Sequence, residues 1–198
     1  RYSKQQTELF DDIFKTIVGV IELRTRVKLA EHFATDPEAP ATLVRAFAFD
    51  DEIGVAAPVL TQSAALSEAD LVLGSRTKSQ GHLLAIAQRP TLSETITELL
   101  IERGESVVVH AVAQNLGAQI SDRSFGELVV RSREDGQLAL HVGTRSDIPR
   151  HHLLKILETA SSAVCRKIAA AHPQCAEFVK GAVTDVIDDI NLVVRKNS

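Results

Sequence analysis

A chain of 198 residues with 44% hydrophobic content carries enough apolar surface for a continuous core without disulfide or metal support. Seven Phe, one Tyr and no Trp leave that core to Leu, Ile, Val and Ala, and argue against functions built on aromatic stacking platforms. A net charge of −4 gives no general attraction to phosphate backbones, which disfavours nucleic acid as a partner.

The chain opens on Arg1 and contains no Met, from which a preceding segment is expected. Residues from about Lys4 to Phe33 read as helix, broken near Gly19 or Arg24, with Leu9, Phe10, Ile13, Phe14, Ile17, Val18 and Ile21 at helical spacing. That apolar face requires a cover. The first repeat, a second copy of the chain or an absent segment would each supply it.

A repeated unit follows, in which a Ser, Asp or Pro opens a helix after each turn. The openers are Asp36, Ser67, Ser93, Ser121 and Pro149, spaced 31, 26, 28 and 28 residues apart. A Ser or Asp oxygen accepts from first-turn N–H groups, and Pro is favoured where an N–H has no partner anyway. Glu68, Asp70, Glu94 and Asp122 place negative charge against the positive end of the helix dipole. Behind the openers come Leu43, Val44 and Phe47, then Leu71, Val72 and Leu73, and so on to Leu153 through Leu157. The first helix of each pair is announced by polar turns at Asp50-Asp51-Glu52, Thr77-Lys78-Ser79, Gly104-Glu105-Ser106 and Asp135-Gly136. Stripes such as Ile53, Val55 and Val59, or Val107, Val108 and Val112, follow them. Periodic helix pairs predict an all-α fold, an α-solenoid of about five short pairs flanked by N- and C-terminal helices.

Near the ends of the first helices stand His32, Ser63, Arg89, Asn115 and Arg145. A recurrent polar residue there suits the orphan carbonyls of a helix end, so these positions are expected to form a structural ladder. In the tail, Val179, Val183, Val186, Ile190 and Val193 follow 4-3-4-3 spacing, the seam of a heptad. This face either caps the last repeat or makes a homodimer. Cys165 and Cys175 are expected to be reduced and buried.

Several phrases together resemble the bacterial domain-of-unknown-function family 2336. They are Ala56-Ala57-Pro58-Val59-Leu60, Leu66-Ser67 with Asp70-Leu71, Ala85-Ile86-Ala87-Gln88-Arg89, Val112-Ala113-Gln114-Asn115 and Arg145-Ser146-Asp147-Ile148-Pro149. The resemblance implies HEAT-like repeats over residues 24–157; the apolar spacing on either side is read as an N-terminal helical segment over 1–33 packing on the first repeat and C-terminal capping helices over 158–198. The resemblance implies no activity and carries no site residues.

No dinucleotide fingerprint, phosphate loop, HExxH or paired CxxC is present, so neither enzymatic activity nor a cofactor is expected. Ser75-Arg76-Thr77-Lys78 matches Ser-x-x-Lys but lacks its companion motifs. Adjacent helical residues point about 100° apart, so His151 and His152 cannot chelate a metal together without other ligands. His82, His110 and His141 fall in first helices at unequal register.

A non-enzymatic protein-interaction scaffold is therefore the leading expectation, its partner another protein. Arg45, Arg76, Glu102, Arg131, His151 and Lys155 are its surface candidates. The alternative is a nucleic-acid-binding repeat protein using Arg24, Arg26 and Lys28, or Arg123, Arg131 and Arg133. With no apolar signal region and no stretch near about 18 uncharged apolar residues, a cytoplasmic location is expected, with no membrane contact.

Overall fold

The computed structural model describes residues 21–172. Helices account for all its regular structure, apart from one isolated parallel bridge between Leu92 and Ala118. The first of eleven helices among the described residues is α1 (Leu23–Ala34), followed by α2 (Ala41–Ala48), α3 (Ile53–Gln62) and α4 (Glu68–Thr77). Next come α5 (Gln80–Ala87), α6 (Glu94–Arg103), α7 (Ser106–Gln114) and α8 (Asp122–Arg131), then α9 (Gly136–Gly143), α10 (Arg150–Thr159) and α11 (Ser162–Ala171).

Helices of 8 to 12 residues are too short to persist alone in water, so their stability comes from neighbours. The chain forms two compact units, Arg1–Gln119 and Ile120–Ser198. In the first, the odd-numbered helices stack α1 on α3, α3 on α5 and α5 on α7, while α4 packs on α6 beside them. In the second, α9 packs on α11 and α8 on α10. Within each unit these contacts join chain neighbours and next-but-one helices, a pattern compatible with stacked helix pairs.

The caps correct one opener. Asp36 does not start a helix; its carboxylate accepts from Glu38 N–H at 2.9 Å within a turn, and α2 begins after Pro40. With Pro40 in that place the second-helix caps run Pro40, Ser67, Ser93, Ser121 and Pro149, so the outlying interval of 31 becomes 27. Ser67 forms a full capping box with Asp70, and Ser93 and Ser121 accept from Ile96 and Ser124 N–H.

Val44, Phe47, Val55, Val59, Leu83, Ile86, Leu100 and Val112 are buried in the first unit, and Leu128, Val142, Ile156 and Ile168 in the second. Each fully buried side chain of this kind contributes roughly 1.5–3 kcal/mol before entropic costs. Three residues read as core-facing are not: Ile53, Leu73 and Val107 are exposed, the first and third because they sit in the opening turns of α3 and α7. Gly143 serves close approach, since a Cβ there would lie 2.5 Å from Ile168 Cδ1 on α11.

The N-terminal face from Leu9 to Val18, the seam Val179, Val183, Val186, Ile190 and Val193, and Cys175 lie outside the described residues. Cys165 is buried; its thiol lies 3.5 Å from the Leu157 carbonyl, and burial pushes its pKa up.

Candidate interaction surface

None of the described residues has a positive φ, so no helix ends on a left-handed residue that would gather its last carbonyls. Those carbonyls still need donors. Side chains from the next pair supply them. Arg89 donates to Leu60 and Ser63 carbonyls at the end of α3, at 2.7 and 2.9 Å. Asn115 donates to Ala87 and Arg89 carbonyls after α5, at 2.9 and 2.7 Å, while its own carbonyl accepts from Gly117 N–H at 2.9 Å. In the second unit His172 Nε2–H donates to the Gly143 carbonyl at the end of α9, at 2.8 Å.

The second helices have a parallel ladder. Lys78 reaches the Phe49 carbonyl just past α2 at 2.6 Å, and Arg103 reaches the Ser75 and Lys78 carbonyls at the end of α4. A cation at a helix C-terminus also meets the negative end of the dipole. Burial of Arg89 lowers its pKa, yet an arginine keeps its charge through such a shift.

The expected ladder residues divide accordingly. Arg89 and Asn115 occupy it. Arg145 is buried and grips the Asp147 carboxylate with both arms of its fork, at 2.8 and 2.7 Å. Ser63 is buried and contributes an acceptor. His32 does not belong to it: exposed near the end of α1, it makes an edge contact with Phe33 at 5.3 Å.

Lys78 and Arg103 escaped sequence reading because a basic residue at a helix end looks like ordinary solvated charge. The signal available was their spacing of 25 residues, close to one repeat. Lys78 also pairs with Asp51 at 2.7 Å, and that hydrogen bond and charge lower the Asp51 carboxyl pKa. The Ser-x-x-Lys match thus has its lysine committed to Phe49 and Asp51, while the buried Ser75 hydroxyl has no hydrogen-bond partner. His82 is likewise framework. Its Nε2–H donates to the Asp50 carbonyl and its Nδ1 accepts from the Ser79 hydroxyl, both at 2.8 Å.

The surface candidates lie on the second helices. In the first unit, Arg76 and Glu102 are exposed at the same register, nine residues past the caps Ser67 and Ser93. Arg45 is also exposed but pairs with Asp70 at 2.6 Å and lies over the Phe49 ring. In the second unit Lys155 is exposed and Arg131 is paired with Glu127 at 2.8 Å. His151 is half exposed, with its Nε2 3.1 Å from Asp122. Of the basic residues considered for nucleic acid, Arg26 is drawn into a 2.5 Å pair with buried Asp50 and Arg131 into its pair with Glu127.

An open pocket of about 320 Å³ lies in the first unit between Leu66, Glu68, Arg89, Ser93, Ile96 and Gln119. Its cation is already bound to two carbonyls, and its Glu68 carboxylate accepts from the Ser93 hydroxyl. No helix among the described residues is long and apolar enough to cross a membrane.

Residues 55–193 match a family described as an uncharacterised protein conserved in bacteria (DUF2336). The match begins within α3, later than the resemblance from residue 24, and extends past residue 157. No curated protein and no solved structure matches the chain.

Proposed function

The chain belongs to the bacterial DUF2336 family, and from the way its helix pairs divide their polar side chains we propose that it is a non-enzymatic protein-interaction scaffold. One observation carries this reading: the frame repeats while the exposed chemistry does not. Nine residues past the caps Ser67, Ser93, Ser121 and Pro149 stand Arg76 and Glu102 in the first unit, and Val130 and Glu158 in the second, all exposed. Repeat arrays build binding surfaces in this way, with specificity set by side chains on a constant scaffold. Exposed Leu73, one turn before Arg76 on α4, adds an apolar contact beside the charge. The groups that most resemble catalytic or ligand-binding residues, Arg89, Arg103, Asn115 and His82, are used between repeats. A cytoplasmic site of action goes with this reading.

Arg76 has no ion-pair partner among the described residues, which makes it the cleanest probe. Affinity capture from the native bacterium, quantified against wild type, is expected to lose a specific protein when Arg76→Glu or Leu73→Asp is introduced. Equal recovery of every captured protein with both variants contradicts the proposal.

A further inference from the structure

Asp122, His151 and His152 meet in the second unit although the chain separates the acid from the histidines by about one repeat. Asp122 opens α8 directly after its cap Ser121, and His151 and His152 lie in the first turn of α10, which packs on α8. The imidazole rings lie 4.0 Å apart, and the Nε2 of each is 3.1 Å from Asp122 Oδ1. The missing further ligand that adjacent histidines require is thus present. We propose that these three side chains form a mononuclear site for a divalent transition metal of the zinc class, with solvent completing the shell.

The donor set and spacing both fit. Two imidazoles and one carboxylate suit Zn²⁺ and its neighbours Co²⁺ and Ni²⁺ better than Mg²⁺ or Ca²⁺, which prefer all-oxygen shells. Ligands about 2.0–2.1 Å from a tetrahedral ion lie roughly 3.3–3.4 Å apart. The observed 3.1 Å contacts therefore need to open by only a few tenths of an ångström. His152 is prepositioned: it is buried, stacked on Phe125 at 6.1 Å and packed beside Gly126. Its Nε2 hydrogen-bonds Asp122 and its buried Nδ1 has no partner, so a metal would take the place of the Nε2 proton and the ring would carry its proton on Nδ1. His151 and Asp122 are exposed, which leaves the site open to metal entry.

The N-terminal ends of α8 and α10 carry partial positive charge, which disfavours a cation, and the Asp122 carboxylate offsets that effect. Three protein ligands at a solvent-open site hold a metal more weakly than the closed four-ligand shell of structural zinc. Because the ligands come from two second helices, metal would staple α8 to α10.

The test uses the full chain with any affinity tag removed, titrated with ZnCl₂ by calorimetry and with CoCl₂ by visible absorption. One equivalent is expected to bind, with Co²⁺ bands of nitrogen and oxygen ligation and a rise in melting temperature that saturates with Zn²⁺. His151→Ala and Asp122→Ala, both at exposed positions, are each expected to weaken binding at least ~10-fold while retaining the helical spectrum. Unchanged affinity in both variants, a thiolate-to-cobalt band marking cysteine ligation, or no saturation below about millimolar metal would overturn the proposal.

Discussion

Asp70 shows how one side chain serves both its own helix and the neighbouring one. It accepts from Ser67 O–H at 2.6 Å and Ser67 N–H at 3.3 Å, completing the capping box of α4, and it receives Arg45 from α2 at 2.6 Å. Partial burial raises its pKa, but the Ser67 hydrogen bonds and the Arg45 charge outweigh that, so its carboxyl titrates below the usual range. A depressed folded pKa contributes stability that is present above the unfolded value and lost as pH falls through the folded one. Asp70→Asn is therefore expected to cost about 1 kcal/mol at neutral pH. In urea titrations at stepped pH, its gap from wild type should close below about pH 4. A gap that persists unchanged at pH 3 would place the contribution elsewhere.

At the scale of elements, the turns after α5 and α7 are tied together. Leu92 N–H donates to the Gly117 carbonyl at 3.1 Å, and Gln119 N–H to the Leu92 carbonyl at 3.0 Å. This bridge requires glycine at 117, because a Cβ there would run into the Pro90 carbonyl oxygen. Backbone cannot yield as a flexible side chain can, so Gly117→Ala is expected to destabilise by about 2–3 kcal/mol in equilibrium unfolding. Gly143→Ala should cost less, because the contact it creates is with the flexible end of Ile168. The order of the two losses is the readout.

What the sequence made legible at this scale follows from physics that is local. Ser67, Ser93 and Ser121 were recognisable because a cap acts within three residues, and the helix faces because burial repeats every turn. Asp36 misled because an Asp-Pro turn carries the same residue types as a cap, while Pro40 has no side-chain acceptor to announce the real one. The meeting of Asp122 with His151 and His152 was hidden because it needs the register between neighbouring second helices, which no local pattern encodes. His32 failed as a ladder member because α1 ends with it facing solvent.

At the scale of the whole molecule, the helix pairs in each unit are joined by side chains that reach back about one repeat to an otherwise orphaned carbonyl. Exposed Arg76 on the second helix α4 carries no such duty. This division decides which substitutions disturb the fold and which disturb recognition, and the scaffold reading depends on it. The most direct measurement compares urea unfolding of Asn115→Ala with that of Arg76→Glu. Asn115→Ala removes two donors to buried carbonyls and one acceptor, and is predicted to lose about 2–3 kcal/mol. Arg76→Glu is predicted to remain within about 0.5 kcal/mol of wild type. An Asn115→Ala variant as stable as wild type, or an Arg76→Glu variant that unfolds as readily as Asn115→Ala is predicted to, would contradict the account.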